Sequence, residues 1–267
     1  MSVGIAQFYL TLPALALVFF RLAGLMITAP LFSATVVPRR LRAAMVMVLS
    51  VMIFPLVVAR PNAMNASLST VLIGGATELM IGAAVGLTLT LVLMGAQVAG
   101  ELVSQQAGMS LGAVINPLFG AQVTVLTQVY AMVVTFFFLL AGGHRAMMAA
   151  LLDTFTVIPV LSYGPGDSIV VLLIETLTSA FSLGVRLAGP MVIALFLTET
   201  ALALLSRTMP QLNILSVGFT VRSLIALAVA AIALSAGEAT LLNAIGEGLD
   251  LVRSAFGLGP DLWSVRP

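Results

Sequence analysis

Long apolar stretches separated by short polar or turn-forming clusters run through almost the whole chain, and their length predicts helices. The first extends from about Ile5 to Val37, interrupted by Arg21 and carrying Pro13 and Pro30, and it closes at Pro38-Arg39-Arg40-Leu41-Arg42. A second fits Ala43 to Ala59 and ends at Arg60-Pro61. The third, from about Leu68 to Gly100, holds Glu78 near its start and exceeds one bilayer crossing, so it must tilt, bend or leave the membrane. No formal charge falls between Glu101 and Arg145, and Val123 to Ala141 forms a fourth apolar stretch there. Two more run from about Ile169 to Leu197 and from about Ile214 to Ala236, with Glu175, Arg186 and Arg222 inside them. The tail from Gly237 is more polar and reads as amphipathic. A turn-rich break near Ile158–Ser168, with Pro159, Gly164, Pro165 and Gly166, divides the pattern weakly in two.

Composition turns this pattern into a class. Of 267 residues, 61% are apolar and 8% charged, against about 25% charged in a soluble domain. The mean hydropathy of +1.18 agrees. A span takes roughly 20 apolar residues, so the expected architecture is all-α and membrane-associated, with about six hydrophobic segments. All eleven basic residues are Arg, which excludes Schiff-base lysines and a P-loop lysine. With no Cys and one His, thiolate chemistry and multi-histidine metal sites are excluded too. A net charge of +1 argues for no nucleic-acid partner. Arg39, Arg40 and Arg42 favour a cytoplasmic first loop, which with six spans leaves the N-terminus outside. No basic residue precedes the first apolar run, so that run is expected to stay in the mature protein.

Candidate chemistry is sparse. The uncharged segment Gln105 to Gln122 carries Gly108, Gly112, Gly120 and Pro117, which argue against one continuous helix. It reads either as a pore-lining, re-entrant loop, since irregular backbone at membrane depth needs a cavity or protein around it, or as an ordinary surface turn. Met109 there could act as a deformable seal. Glu175, Ser179, Ser182 and Arg186 share one helical face. They suit an ion relay or a polar seam between subunits, and the seam is the simpler reading because buried charges are often structural. Glu78 and Glu101, at the ends of the third stretch, are expected to snorkel to the interface. Gly82/Gly86 and Ala96/Gly100 are small-residue pairs that predict close helix packing. His144 with Asp153 lacks a nucleophile elbow and reads as a loop histidine.

The run Leu205-Ser206-Arg207-Thr208-Met209-Pro210-Gln211-Leu212-Asn213-Ile214, followed by Gly218-Phe219, resembles the R-x-x-PQLN…GF signature of the FliR/SctT family of type III export-gate proteins. The basic first loop, the stretch Gly100-Glu101-Leu102 through Gln105, Gly108 and Pro117, and Gly143-His144 with Leu151 to Phe155 agree in order. Asn116 stands where many relatives carry Asp, and Thr220 where Pro usually follows the GF pair. The resemblance implies a helical-hairpin subunit made of a FliP-like part (1–158) and a FliQ-like part (159–267). It implies a non-enzymatic role in the flagellar export gate of the bacterial inner membrane, without cofactors. Its implied partners are FliP, FliQ, FlhB, FlhA, exported flagellar subunits and the lipid bilayer. It assigns the channel plug to Gln105, Gln106, Gly108, Met109, Gly112, Asn116 and Pro117. It assigns motif and subunit packing to Arg207, Pro210, Gln211, Leu212, Asn213, Gly218 and Phe219. An injectisome homologue and, on the strength of Glu175, a proton-coupled secondary transporter are the alternatives.

Overall fold

Each of the six apolar stretches forms a helix in the computed structural model, which describes residues 2–32, 37–57, 68–109, 124–162, 167–209 and 214–259. In chain order the helices are α1 (Ser2–Thr28), α2 (Arg39–Val57), α3 (Leu68–Gln106), α4 (Val125–Leu140), α5 (Gly143–Val157), α6 (Asp167–Thr208), α7 (Ile214–Ala236) and α8 (Glu238–Phe256). All regular structure among the described residues is helical, as the composition requires.

Local sequence explains most of the boundaries. α1 stops two residues before Pro30, because the residue ahead of a proline is pushed out of helical geometry. α5 likewise ends before Pro159, with Ile158 extended. Gly142 separates α4 from α5 at φ +70°, a left-handed conformation that costs glycine little. α8 is the amphipathic tail: Leu241, Ile245, Leu249, Val252 and Phe256 are buried, while Asn243, Glu247, Asp250 and Ser254 are exposed.

α3 has 39 residues and α6 has 42, roughly 60 Å each at 1.5 Å per residue, about twice a hydrocarbon core. Among the described residues these two alone are each long and apolar enough to cross a membrane. The pairs α4/α5 and α7/α8, each broken by a few residues, raise the number to four if each pair is one span. The six apolar segments are therefore all helices, but among the described residues fewer than six qualify as spans by length and composition.

The chain forms two compact units, each gathered from stretches on both sides of the 158–162 turn. The first comprises Met1–Leu91, Gly142–Leu177 and Gly246–Pro267. Its centre is the contact between α1 and the first half of α3, where glycine lets the backbones meet. A Cβ on Gly82 would overlap the carbonyl of Arg21, one on Gly24 the carbonyl of Leu79, and one on Gly86 would lie 2.9 Å from the Ala29 nitrogen. The Gly82/Gly86 pair thus does what its spacing predicts.

Beside that contact lies a polar cluster that the sequence reading missed. Glu78 does not snorkel: it is 1% exposed and pairs with Arg21, itself fully buried, at 2.5 Å. Arg21 Nη1 also donates to Thr154 Oγ1 at 3.1 Å and Nη2 to the Ile158 carbonyl at 3.2 Å. The guanidinium sits 4.2 Å from the centre of the Phe155 ring. The Leu161 N–H donates to Glu78 Oε1 at 3.1 Å. Glycine contacts bring α1 and α3 too close for either side chain to reach solvent, so the charges neutralise each other inside.

The second unit comprises Val92–Ala141 and Thr178–Ile245. Ala99, Val103, Leu126, Tyr130, Met191 and Ala226 are among its core residues. Tyr130 satisfies its hydroxyl by donating to Met191 Sδ at 3.1 Å. Gly95 packs on the backbone of Ala180, and Gly100 lies 3.1 Å from Thr127 and Tyr130 where a Cβ would stand. The Ala96/Gly100 spacing again marks close packing.

Candidate functional site

The part of the Gly-rich segment that the structure describes is its stem, where α3 ends and α4 begins. The end of α3 follows a Schellman pattern: Met109 N–H bonds the Ser104 carbonyl at 3.0 Å and Gly108 N–H the Gln105 carbonyl at 3.1 Å. Gly108 takes the left-handed position that this pattern requires, at φ +78°. A side chain with a Cβ is disfavoured there, so Gly108, one of the residues expected to interrupt a continuous helix, stops α3. Met109 packs against the core of the second unit, in keeping with a soft apolar contact.

Across from it, Thr124 caps α4, its hydroxyl accepting from Thr127 N–H at 3.4 Å. The two ends are tied by side chains. Ser104 and Thr124 hydroxyls lie 2.6 Å apart, Thr124 and Thr127 hydroxyls 2.7 Å, and Thr127 donates to Glu101 Oε2 at 2.8 Å. Gln105 Nε2 donates to the other oxygen, Oε1, at 3.2 Å. Glu101 therefore corrects the expectation that it snorkels away. Half-buried near the helix end, it anchors a chain of hydroxyls. No single-residue signal in the sequence announces this chain. Ser104 and Thr124 are 20 positions apart, Glu101 and Thr127 are 26, and they meet only because α4 folds back.

The remaining predicted site residues distribute as follows. Gln105 is exposed and Gln106 half-buried at the end of α3, while Gly112, Asn116 and Pro117 lie outside the described residues. Glu175, Ser179, Ser182 and Arg186 all lie on continuous α6, with the two charged residues exposed and the serines half-buried. Eleven positions apart, Glu175 and Arg186 are too distant to pair along the helix. Arg207 is exposed in the last turn of α6, where its charge favours the helix C-terminus. Pro210, Gln211, Leu212 and Asn213 lie outside the described residues. Gly218 is buried and Phe219 exposed, both within α7, which continues unbroken through Thr220. Arg222 of α7 meets Glu199 of α6 at 3.4 Å, a second cross-helix ion pair that sequence reading did not single out. Asp153 is turned toward Arg253, 3.8 Å away, so it orients no histidine.

Large apolar side chains cover much of the surface. Ile73, Met132, Leu140, Phe181, Phe196 and Ile232 are all more than half exposed. A monomer in water does not present that much apolar surface; lipid or other protein covers it.

Similarity to known proteins accounts for this combination. The sequence model of bacterial export proteins, family 1, matches residues 12–247. The flagellar biosynthetic protein FliR of Caulobacter vibrioides is 26% identical over 238 residues, 88% of this chain and 94% of that one. FliR of Bacillus subtilis is 25% identical over 249 residues, 92% of this chain and 95% of its own length. Yop proteins translocation protein T of Yersinia pestis is 28% identical over 192 residues, 70% and 72% of the two chains. The match takes in the loop stem, the buried ion pair and the Arg207–Phe219 region alike, and this chain belongs to family 1 of the bacterial export proteins.

Proposed function

We propose that this chain is a non-enzymatic core subunit of the flagellar type III export gate in the bacterial inner membrane, at the flagellar basal body. The observation that carries the reading is the match to two flagellar FliR proteins over at least 88% of this chain and 94% of each relative. The chain would assemble with FliP, FliQ and FlhB, beside FlhA, to form and seal the path of unfolded flagellar subunits. Its apolar exposed surface and the outward-facing Glu175 and Arg186 suit burial against such subunits. A division into a FliP-like part up to 158 and a FliQ-like part from 159 belongs to the same proposal. So does the assignment of the plug to Gln105, Gln106, Gly108, Met109, Gly112, Asn116 and Pro117. The injectisome relative favours a second reading, export of other substrates, but it covers less of both chains.

Native mass spectrometry of the chain co-expressed with its FliP and FliQ tests the proposal. A discrete complex of all three is the expected result. A monomer beside folded, unbound partners would sink it and return attention to Glu175 as a transport residue.

The plug assignment makes a separate prediction. Gly108→Val forces a β-branched residue into left-handed backbone, at a cost of about 1–3 kcal/mol. The complex should still assemble, while secretion of flagellar subunits slows or resting ion tightness is lost. Normal secretion with normal tightness would remove the segment from the seal.

A further inference from the structure

A buried ion pair must satisfy its remaining donors and acceptors nearby, and in this one each partner does so on the same turn. Arg21 Nη2 donates to the Ile158 carbonyl, and Glu78 Oε1 accepts the Leu161 N–H. The turn is gripped at one end by a donor and at the other by an acceptor. At the acceptor-held end Leu161 itself stands at φ +67°, the one described non-glycine residue with positive φ. That conformation persists only where its surroundings over-determine it. The Leu161 side chain contributes as well, lying where a Cβ on Gly74 would have to go. Phe155 and Thr154, one turn earlier on α5, meet the same guanidinium.

We propose that Arg21 and Glu78 are positioning residues, a two-ended clamp that sets the 158–162 turn. Export depends on that placement rather than on the attraction between the two charges. The export part of this inference rests on the function proposed above; the clamp itself does not.

Polarity separates the two roles. In the charge-swapped variant Arg21→Glu/Glu78→Arg the attraction remains, but a guanidinium faces the Leu161 N–H and a carboxylate faces the Ile158 carbonyl. A second route leaves both charges untouched. Leu161→Pro deletes the clamped N–H and forbids positive φ, whereas Leu161→Gly loses the same side chain but keeps the N–H and accepts the backbone. The chain has no Cys, so a nitroxide on Ser162→Cys, the exposed position at the end of the turn, reports its motion in the purified full-length protein.

The expected result is that the swap and Leu161→Pro accumulate near the wild-type level with a severalfold more mobile label. Secretion of flagellar subunits should fall about tenfold in Leu161→Pro, the ratio matching one lost buried hydrogen bond, and further in the swap, which loses both clamp bonds, while Leu161→Gly keeps both properties. Wild-type label mobility and export in the swap, or equal export by Leu161→Pro and Leu161→Gly, would overturn the clamp. If the swap alone fails to accumulate, the Leu161 pair decides. Failure of both the swap and Leu161→Pro to accumulate makes the turn a folding requirement and also overturns the assignment. If the export reading itself fails, the unaltered chain neither joins the complex nor supports secretion, while label mobility still reports the clamp.

Discussion

Glu78→Leu destabilises the protein by about 3–5 kcal/mol, the range for removing one partner of a buried pair. The loss arises because Arg21, fully buried, keeps its charge with no counter-ion. Thr154, the Ile158 carbonyl and the Phe155 face remain around it, but these neutral groups solvate a cation only in part. The Leu161 N–H loses its acceptor in the same step. A stability of 5–15 kcal/mol is typical for a folded protein, so this single change should cut accumulation in the membrane and lower the melting temperature in detergent. Arg21→Met combined with Glu78→Leu should recover most of the loss, because a buried pair replaced by apolar groups often costs nothing. A single variant as stable as the parent, measured by thermal unfolding in detergent, would mean that the pair is solvated in a way its burial does not admit.

Gly82→Leu separates α1 from α3. A Cβ at Gly82 overlaps the Arg21 carbonyl and comes within 3.0 Å of the Leu25 nitrogen. Both obstacles are backbone, so neither can rotate aside. Overpacking costs about 1–3 kcal/mol where side chains can adjust, and the expected loss here is at or above the top of that range. Because Arg21 itself is displaced, the ion pair suffers with the packing, and the effect should not add to that of Glu78→Leu. Gly246→Ala in α8 is the contrast. Nothing lies within 4 Å of its added Cβ, and a helical Gly→Ala change gains about 0.5–1 kcal/mol. Thermal unfolding of the two variants side by side checks both. Equal stabilities would show that helix propensity, not helix contact, governs glycine in this chain.

The functional reading was more legible than the site. Arg207, Pro210, Gln211, Leu212, Asn213, Gly218 and Phe219 are contiguous enough to be recognised in a single sequence, because a motif that is continuous along the chain needs no folding to be seen. The stem around Glu101 is different. Its members, Ser104, Gln105, Thr124 and Thr127, are ordinary polar residues at helix ends, and nothing in their spacing distinguishes a hydrogen-bonded chain from a solvated surface. Glu78 misled for the opposite reason. A lone carboxylate near the end of an apolar helix usually reaches the interface, and here the glycine contacts of a neighbouring helix closed that route.

Sequence alone settled the matters governed by local forces. Apolar run length determined that helices form, Pro159 where one of them stops, and the Gly82/Gly86 and Ala96/Gly100 spacings where backbones meet. Those preferences act over a few residues and survive any tertiary arrangement consistent with them. Tertiary structure decided which charges are inside. Arg21 and Glu78 are 57 positions apart, Glu78 and Leu161 are 83, and burial of a charge depends on what the rest of the chain brings to it. The number of helices fit to cross a bilayer was also a tertiary outcome, since bends at Gly142 and after α7 divide apolar sequence that composition alone would count as spans.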